Sequence, residues 1–282
     1  MKKIAILVDS SSGLTKKQAA QHNWHFLPLL VSLDGVEYKD GIELTGTNLF
    51  NHFSLNSNNV KTSSTPLGLV HQELEKLSKE YDEIIFFPIS KHLSSQYQML
   101  LTLMDEFPKL KVVQSLYVAI LIPLMVKYLE QLIKDGMDSD SAIKQVEQWN
   151  NDFKVTLLPK YNDYLVKGGR LHPTAATIAK LLKIVPLIAF DNGQLIKEGK
   201  GRIFLKSVYN SIDDKVMDDD SEFIILHSNN NDINEIVDYI QTKHNKKVYV
   251  ALLPNVIAIH TGPEAIVVIK TKKLTEEQKA LF

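Results

Sequence analysis

The sequence predicts an α/β protein of two α/β domains: an N-terminal one with a mostly parallel sheet flanked by helices, and a smaller C-terminal one of mixed α/β type. Three observations carry this. Continuous apolar runs at 4–8 and 84–87 have the pattern of strands buried on both faces. Helical periodicity recurs between such runs, the order of crossover connections in a parallel sheet. Past residue 153 hairpin turns multiply and crossovers thin out, which places the domains at 1–153 and 154–282.

The elements follow in order. The run at 4–8 is the first strand, and Asp9-Ser10-Ser11-Ser12-Gly13 is a loop. Thr15 caps a helix that runs toward His22. Segments 26–33 and 36–38 flank Asp34-Gly35, a two-residue hairpin signal. A helix is expected over 67–79 and a strand over 84–87. A helix then opens at Ser94 or Ser95 and reaches Met104. A short strand at 111–113 precedes helices at 117–134 and 139–151. In the second domain, 154–158 is a strand and 174–182 an amphipathic helix. Segments 186–190 and 194–198 form a hairpin about Asp191-Asn192-Gly193. Residues 203–212 and 233–242 are helical, and 223–227, 248–252, 256–260 and 266–269 are strands.

Composition narrows the function. With 44% hydrophobic and 23% charged residues among 282, the chain has the make-up of an ordinary globular protein. The formal net charge of −1 gives no footprint for nucleic acid. Cysteine is absent, which removes disulfides, thiol nucleophiles and cysteine-based zinc sites and suits a cytoplasmic location. The first apolar run stops at Asp9, too short for a secretory core. No apolar stretch has the length of a membrane span, so stable membrane insertion is not expected, transient contact being left open.

Only two of the 32 basic residues are arginine, Arg170 and Arg202, and both follow glycine. Arginine is kept where a planar, always-charged fork must meet a carboxylate or phosphate, so both positions are candidate sites. Three hydroxyl-bearing loops stand at predicted strand ends: Asp9-Ser10, Lys61-Thr62-Ser63-Ser64-Thr65-Pro66, and Ser90-Lys91-His92-Leu93-Ser94-Ser95. In open parallel sheets ligands sit beyond the carboxyl ends of the strands, and hydroxyls at helix starts seat anions. Each loop alone is equally a capped helix start; their convergence favours a binding cleft. His260-Thr261-Gly262-Pro263 turns sharply out of an apolar segment and can bring a histidine to an anion. No phosphate-binding glycine loop occurs, so no nucleotide cofactor is expected. His22-x-x-His25 lacks a third ligand, so no metal is expected either. Asp9 could serve as a phosphotransferase nucleophile and Ser94 as a hydrolase nucleophile, but neither lies in the usual motif.

Taken in order and spacing, these residues resemble the DegV family of bacterial fatty-acid-binding proteins. The match rests on Val8-Asp9-Ser10, the Thr62-Ser63 loop, the segment from Ser90 to Tyr97, Tyr164-Leu165-x-x-Gly168-Gly169-Arg170, Asp191-Asn192-Gly193, Arg202 and His260-x-Gly262-Pro263. The resemblance implies a single fatty acid bound between two α/β domains, its acyl chain in an apolar tunnel of the first. It implies Thr62 and Ser94 as carboxylate donors, with Ser63 and His260 nearby, and Arg170 near the carboxylate or acyl-phosphate end. Arg202 matches an arginine linked with docking a partner kinase. Such a protein is a carrier and not itself an enzyme. It has no catalytic residues of its own and presents the fatty acid to a separate ATP-dependent fatty acid kinase, whose acyl phosphate feeds phospholipid synthesis. A stand-alone hydrolase or phosphotransferase, and a binder of another amphipathic anion, remain the alternatives.

Four departures from the family pattern stand out, one of them Gln114-Ser115 in place of Asp-Ser after the third strand. Thr62-Ser63-Ser64-Thr65 replaces Thr-Ser-Gln-Pro, Ser94-Ser95-Gln96-Tyr97 replaces Ser-Gly-Thr-Tyr, and Glu264 replaces the last glycine of His-x-Gly-Pro-Gly. Glu264 would weaken anion binding or alter partner docking.

Overall fold

A computed structural model describes residues 2–46, 48–169, 184–217 and 219–282. It divides into two compact units. One comprises Met1–Thr45, Lys61–Trp149 and Pro254–Val256; the other comprises Gly46–Val60, Asn150–Leu253 and Ile257–Phe282.

The first unit is built on a parallel sheet. Its strands are β1 (Ile4–Asp9), β2 (His25–Leu27), β6 (Glu83–Phe87) and β7 (Leu110–Val112), in the order β2-β1-β6-β7, and all three pairings are parallel. Ala5, Leu7, Ile84 and Phe86 point to one face, into a cluster with Val70, Leu74 and Leu77 of the helix Leu67–Glu80 and with Leu100, Leu103 and Phe107. The alternate residues Ile6, Val8, Ile85 and Phe87 are buried as well. Coverage on both faces is what makes these strands read as unbroken apolar runs rather than alternating ones. Each fully buried Leu, Ile or Phe contributes about 1.5–3 kcal/mol. A second, three-stranded sheet has the order β4-β3-β5, from β3 (Leu30–Leu33), β4 (Val36–Lys39) and β5 (Val60–Ser63). Its hairpin turns at Asp34 (φ 53°) and Gly35 (φ 87°), both left-handed as a tight two-residue turn requires.

The second unit carries a six-stranded mixed sheet: β8 (Lys154–Leu158), β9 (Val185–Asp191), β10 (Gln194–Gly201), β11 (Glu222–His227), β12 (Val248–Leu252) and β13 (Ile266–Thr271). The order is β10-β9-β8-β13-β11-β12, antiparallel except for β11 with β12. Leu158, Phe223, Ile225, Ile266 and Val268 form its core with Val208 and Ile212 of the helix Phe204–Asp213 and with Ile236 and Ile240 of the helix Ile233–His244.

Several expectations are corrected. The single strand over 26–33 is two strands. Pro28 has no amide hydrogen to continue a ladder, so the chain leaves the parallel sheet there and enters the three-stranded one at Leu30. The segment expected as a strand at 256–260 is the helix Asn255–Thr261, closed by a hydrogen bond of 2.8 Å from Gly262 N–H to Ala258 O. Four consecutive apolar residues, 256–259, fit a buried helix as well as a buried strand, and Pro254, just before Asn255, suits a helix start. The helix expected from 117 begins at Leu121, because Ala119 takes a left-handed φ of 57°. The one expected from Ser94 to Met104 is the shorter Gln96–Leu101, and the one over 139–151 ends at Glu147. The helix expected over 174–182 lies outside the described residues, as does Arg170.

Candidate functional site

In the first unit the carboxyl ends of β1 and β6 are stitched together by Asp9. Its Oδ1 accepts from the Ser11 amide at 3.0 Å and the Ser11 hydroxyl at 2.5 Å; its Oδ2 accepts from the Ile89 amide at 2.9 Å. The side chain is wholly buried. Burial pushes its pKa up to about 6, against the pull of the bonds from Ser11 and Ile89. Ser10 accepts from the Leu29 amide at 3.0 Å. Asp40 is also buried, with Oδ1 accepting from Asn255 Nδ2 at 2.8 Å and its pKa raised by burial to about 6. Asp9 therefore spends both oxygens on fixing the strand ends. It is placed as a structural acceptor and not as an exposed nucleophile.

Two of the three hydroxyl loops meet. Ser64 Oγ stands 3.1 Å from Ser95 Oγ and 3.5 Å from Ser94 Oγ. Ser94 Oγ accepts from the Gln96 amide at 3.2 Å. Behind them the Gln96 side chain bonds Thr65 twice: Oε1 accepts from the Thr65 amide at 3.0 Å, and Nε2 donates to Thr65 Oγ1 at 3.0 Å. Thr62 and Ser94 are partly exposed and Ser63 is exposed, while Thr65 and Gln96 are buried beneath. The Ser94 hydroxyl touches the Gln96 amide and the Ser64 hydroxyl, neither of which can take its proton. A hydrolase nucleophile needs such a base.

In the second unit the two glycine motifs interlock. The helix Asn162–Lys167 ends at Gly168, and Gly169 follows with a left-handed φ of 68°. A Cβ on Gly168 would lie 2.3 Å from His260 Nδ1; a Cβ on Gly262 would lie 2.6 Å from the Tyr164 ring, and Gly262 itself has φ 79°. Each motif's glycine thus leaves room for the ring of the other. His260 is 9% exposed. Ser228 fastens the turn after it, its hydroxyl donating to Gly262 O at 2.6 Å and accepting from the Ala265 amide at 3.0 Å.

Glu264 has a left-handed φ of 60°, which explains why glycine is expected there. Its carboxylate pairs with Lys160 and accepts from Tyr161 Oη at 2.9 Å. The added charge is matched locally. Arg202 is exposed in the bend after β10, next to Ile203, which is 65% exposed. The two histidines of His22-x-x-His25 have separate partners: His22 lies against the Trp24 ring, and His25 pairs with Glu73 and Tyr81.

The comparisons with known proteins agree with one another. A family model described as uncharacterised proteins of the DegV family matches residues 3–273. A DegV domain-containing protein of Mycoplasmopsis pulmonis is 40% identical over 271 residues, 94% of each chain. The chain belongs to the DegV family. Solved structures of the family share its fold. A fatty acid binding DegV family protein from Streptococcus agalactiae has a TM-score of 0.82 at 23% identity, covering 97% of this chain and all of that one. A stearic acid-binding protein from Eubacterium ventriosum has a TM-score of 0.77 at 20% identity, covering 96% and 99%.

The two loops that depart from the expected pattern contact each other. Ser64 and Thr65 on one side contact Ser94, Ser95 and Gln96 on the other. The sequence reading pointed to Thr62, Ser63 and Ser94 and overlooked Gln96, Asp40 and Lys160. Gln96 was visible as a departure from the family pattern. Asp40 and Lys160 carry no motif in the sequence.

Proposed function

We propose that the chain binds one long-chain fatty acid, with the acyl chain in an apolar tunnel and the carboxylate held by Thr62, Ser63 and Ser94. The observation that supports this is the side-chain junction of the two hydroxyl loops, with Ser64 against Ser94 and Ser95 over a buried Thr65–Gln96 pair. Hydroxyls replace the water a carboxylate loses, and an unpaired buried charge is expensive. The acyl chain adds about 0.8 kcal/mol per buried CH₂, so few polar contacts suffice. The fatty acid binding attributed to the Streptococcus agalactiae and Eubacterium ventriosum proteins supports the same ligand class. On the family resemblance, His260 and Arg170 serve the ligand's anionic end. By the same resemblance the chain performs no phosphoryl transfer and presents its ligand to a separate ATP-dependent fatty acid kinase. Arg202 lies on the docking surface, where its exposure leaves the guanidinium open to a partner.

The test is Thr62→Ala combined with Ser94→Ala. The folded double variant is expected to lose at least about tenfold in fatty-acid affinity, as when hydrogen bonds to a charged group are removed. Full retention of the lipid by the folded variant would overturn the carboxylate assignment.

A further inference from the structure

We propose that Gln96 is a positioning residue for the anion-binding hydroxyls, acting through Ser94 and the segment that carries Thr62; this rests on the function proposed above. Gln96 is fully buried, and Thr65 is 1% exposed. The amide closes a two-bond ring with Thr65, Nε2 to Oγ1 and Oε1 from the backbone N–H, each 3.0 Å, across 31 residues of sequence. The backbone N–H of Gln96 is bonded to Ser94 Oγ at 3.2 Å. One residue therefore grips the Thr62–Thr65 segment with its side chain and orients the Ser94 hydroxyl with its main chain. Above it, Ser64 meets Ser95 at 3.1 Å and Ser94 at 3.5 Å, so the hydroxyls form a linked row and not independent caps.

The side-chain chemistry is specific. Thr65 presents a donor and a hydroxyl oxygen side by side, and a primary amide answers both while staying neutral. A buried carboxylate in its place would set a negative charge beneath a site for an anion. An apolar side chain would leave the Thr65 N–H without its acceptor, and a buried unsatisfied donor is costly. With the ring opened, the two loops are free to separate, and the hydroxyls lose the spacing that a carboxylate needs. The substitution alters only the polar ring that this proposal places beneath the head group. Gln96 therefore governs selectivity for the head group and not binding of the chain.

The experiment compares wild type with Gln96→Met, titrating each with palmitate and with hexadecanol, which share an acyl length and differ in the head. Wild type is expected to prefer palmitate. Gln96→Met is expected to lose at least about tenfold in palmitate affinity while hexadecanol affinity stays within about twofold, so the preference collapses. A purely structural role would lower both affinities together or lower only the unfolding midpoint, and either result would overturn the proposal. Should Gln96→Met not fold, Thr65→Val carries the test. It deletes the hydroxyl that Nε2 bonds, keeps the backbone N–H, and is expected to reduce the preference in the same direction. Wild type that takes up neither ligand would sink the fatty-acid reading itself. Wild type that binds palmitate beside variants with unchanged preference would sink only the role of Gln96.

Discussion

Gly168→Ala is the most informative single substitution, because the structure confines its cost to one contact. Gly168 has φ −78° and ψ 3°, a conformation any residue adopts, so alanine brings no backbone strain. Its new Cβ would stand 2.3 Å from His260 Nδ1 and 3.1 Å from Cγ, where ordinary contact begins at 3.4 Å. The imidazole must retreat by about 1 Å, and a buried ring retreats only by disturbing its neighbours. Overpacking of this kind costs about 1–3 kcal/mol. Urea unfolding of the single variant gives the cost; repeating it in a His260→Ala background gives the cause. With the ring gone, the nearest remaining atom is the His260 Cα at 3.2 Å. The penalty is then expected to fall below about 0.5 kcal/mol, leaving a coupling energy of roughly 1–3 kcal/mol. Fatty-acid affinity should fall in Gly168→Ala and in His260→Ala, without a further drop in the double variant. An equal stability cost in both backgrounds would refute the claim that this glycine exists to admit the histidine.

Two further predictions concern charge. Burial raises the pKa of Asp40 to about 6 in the folded state from 3.8, so the folded chain holds this proton more tightly than the unfolded chain does. Its contribution to stability is complete below about pH 4 and is lost as pH rises through 6, a change of about 3 kcal/mol. Asp40→Asn keeps an oxygen for the Asn255 amide. It is expected to reduce, by roughly half, the fall of the unfolding midpoint between pH 4.5 and 7.5, the rest coming from the similarly buried Asp9, and to raise the midpoint at the upper end; an unchanged slope would contradict the assignment. Glu264→Gly relieves a left-handed residue, worth about 1 kcal/mol, and removes the partner of Lys160. Because the charge it removes is already matched, urea unfolding should shift by less than about 1 kcal/mol and fatty-acid affinity should not rise. A tenfold gain in affinity would show that Glu264 does oppose the anion.

What the sequence made legible was local. Thr15 caps its helix as expected, in a reciprocal exchange with Gln18, and Asp34-Gly35 and Asn192-Gly193 turn their hairpins with positive φ, because caps and tight turns depend on residues a few positions apart. The apolar runs of β1 and β6 announced a sheet covered on both faces. The helix Asn255–Thr261 was not legible, since an unbroken apolar run carries no period to separate helix from strand. Pairings across long separations were invisible for another reason. The sequence shows glycines at 168 and 262 and rings at 260 and 164, but only the folded chain shows which glycine faces which ring. The same holds for Gln96 and Thr65, whose two hydrogen bonds turn an unusual pair of loop sequences into a matched set.

The central claim is that this chain carries a fatty acid. It is tested most directly by mass spectrometry of the purified protein, first intact under native conditions and then denatured, with identification of whatever is released. The account predicts one long-chain fatty acid per chain, displaced by added palmitate and lost on denaturation. A protein that emerges empty and then fails to take up palmitate would contradict it.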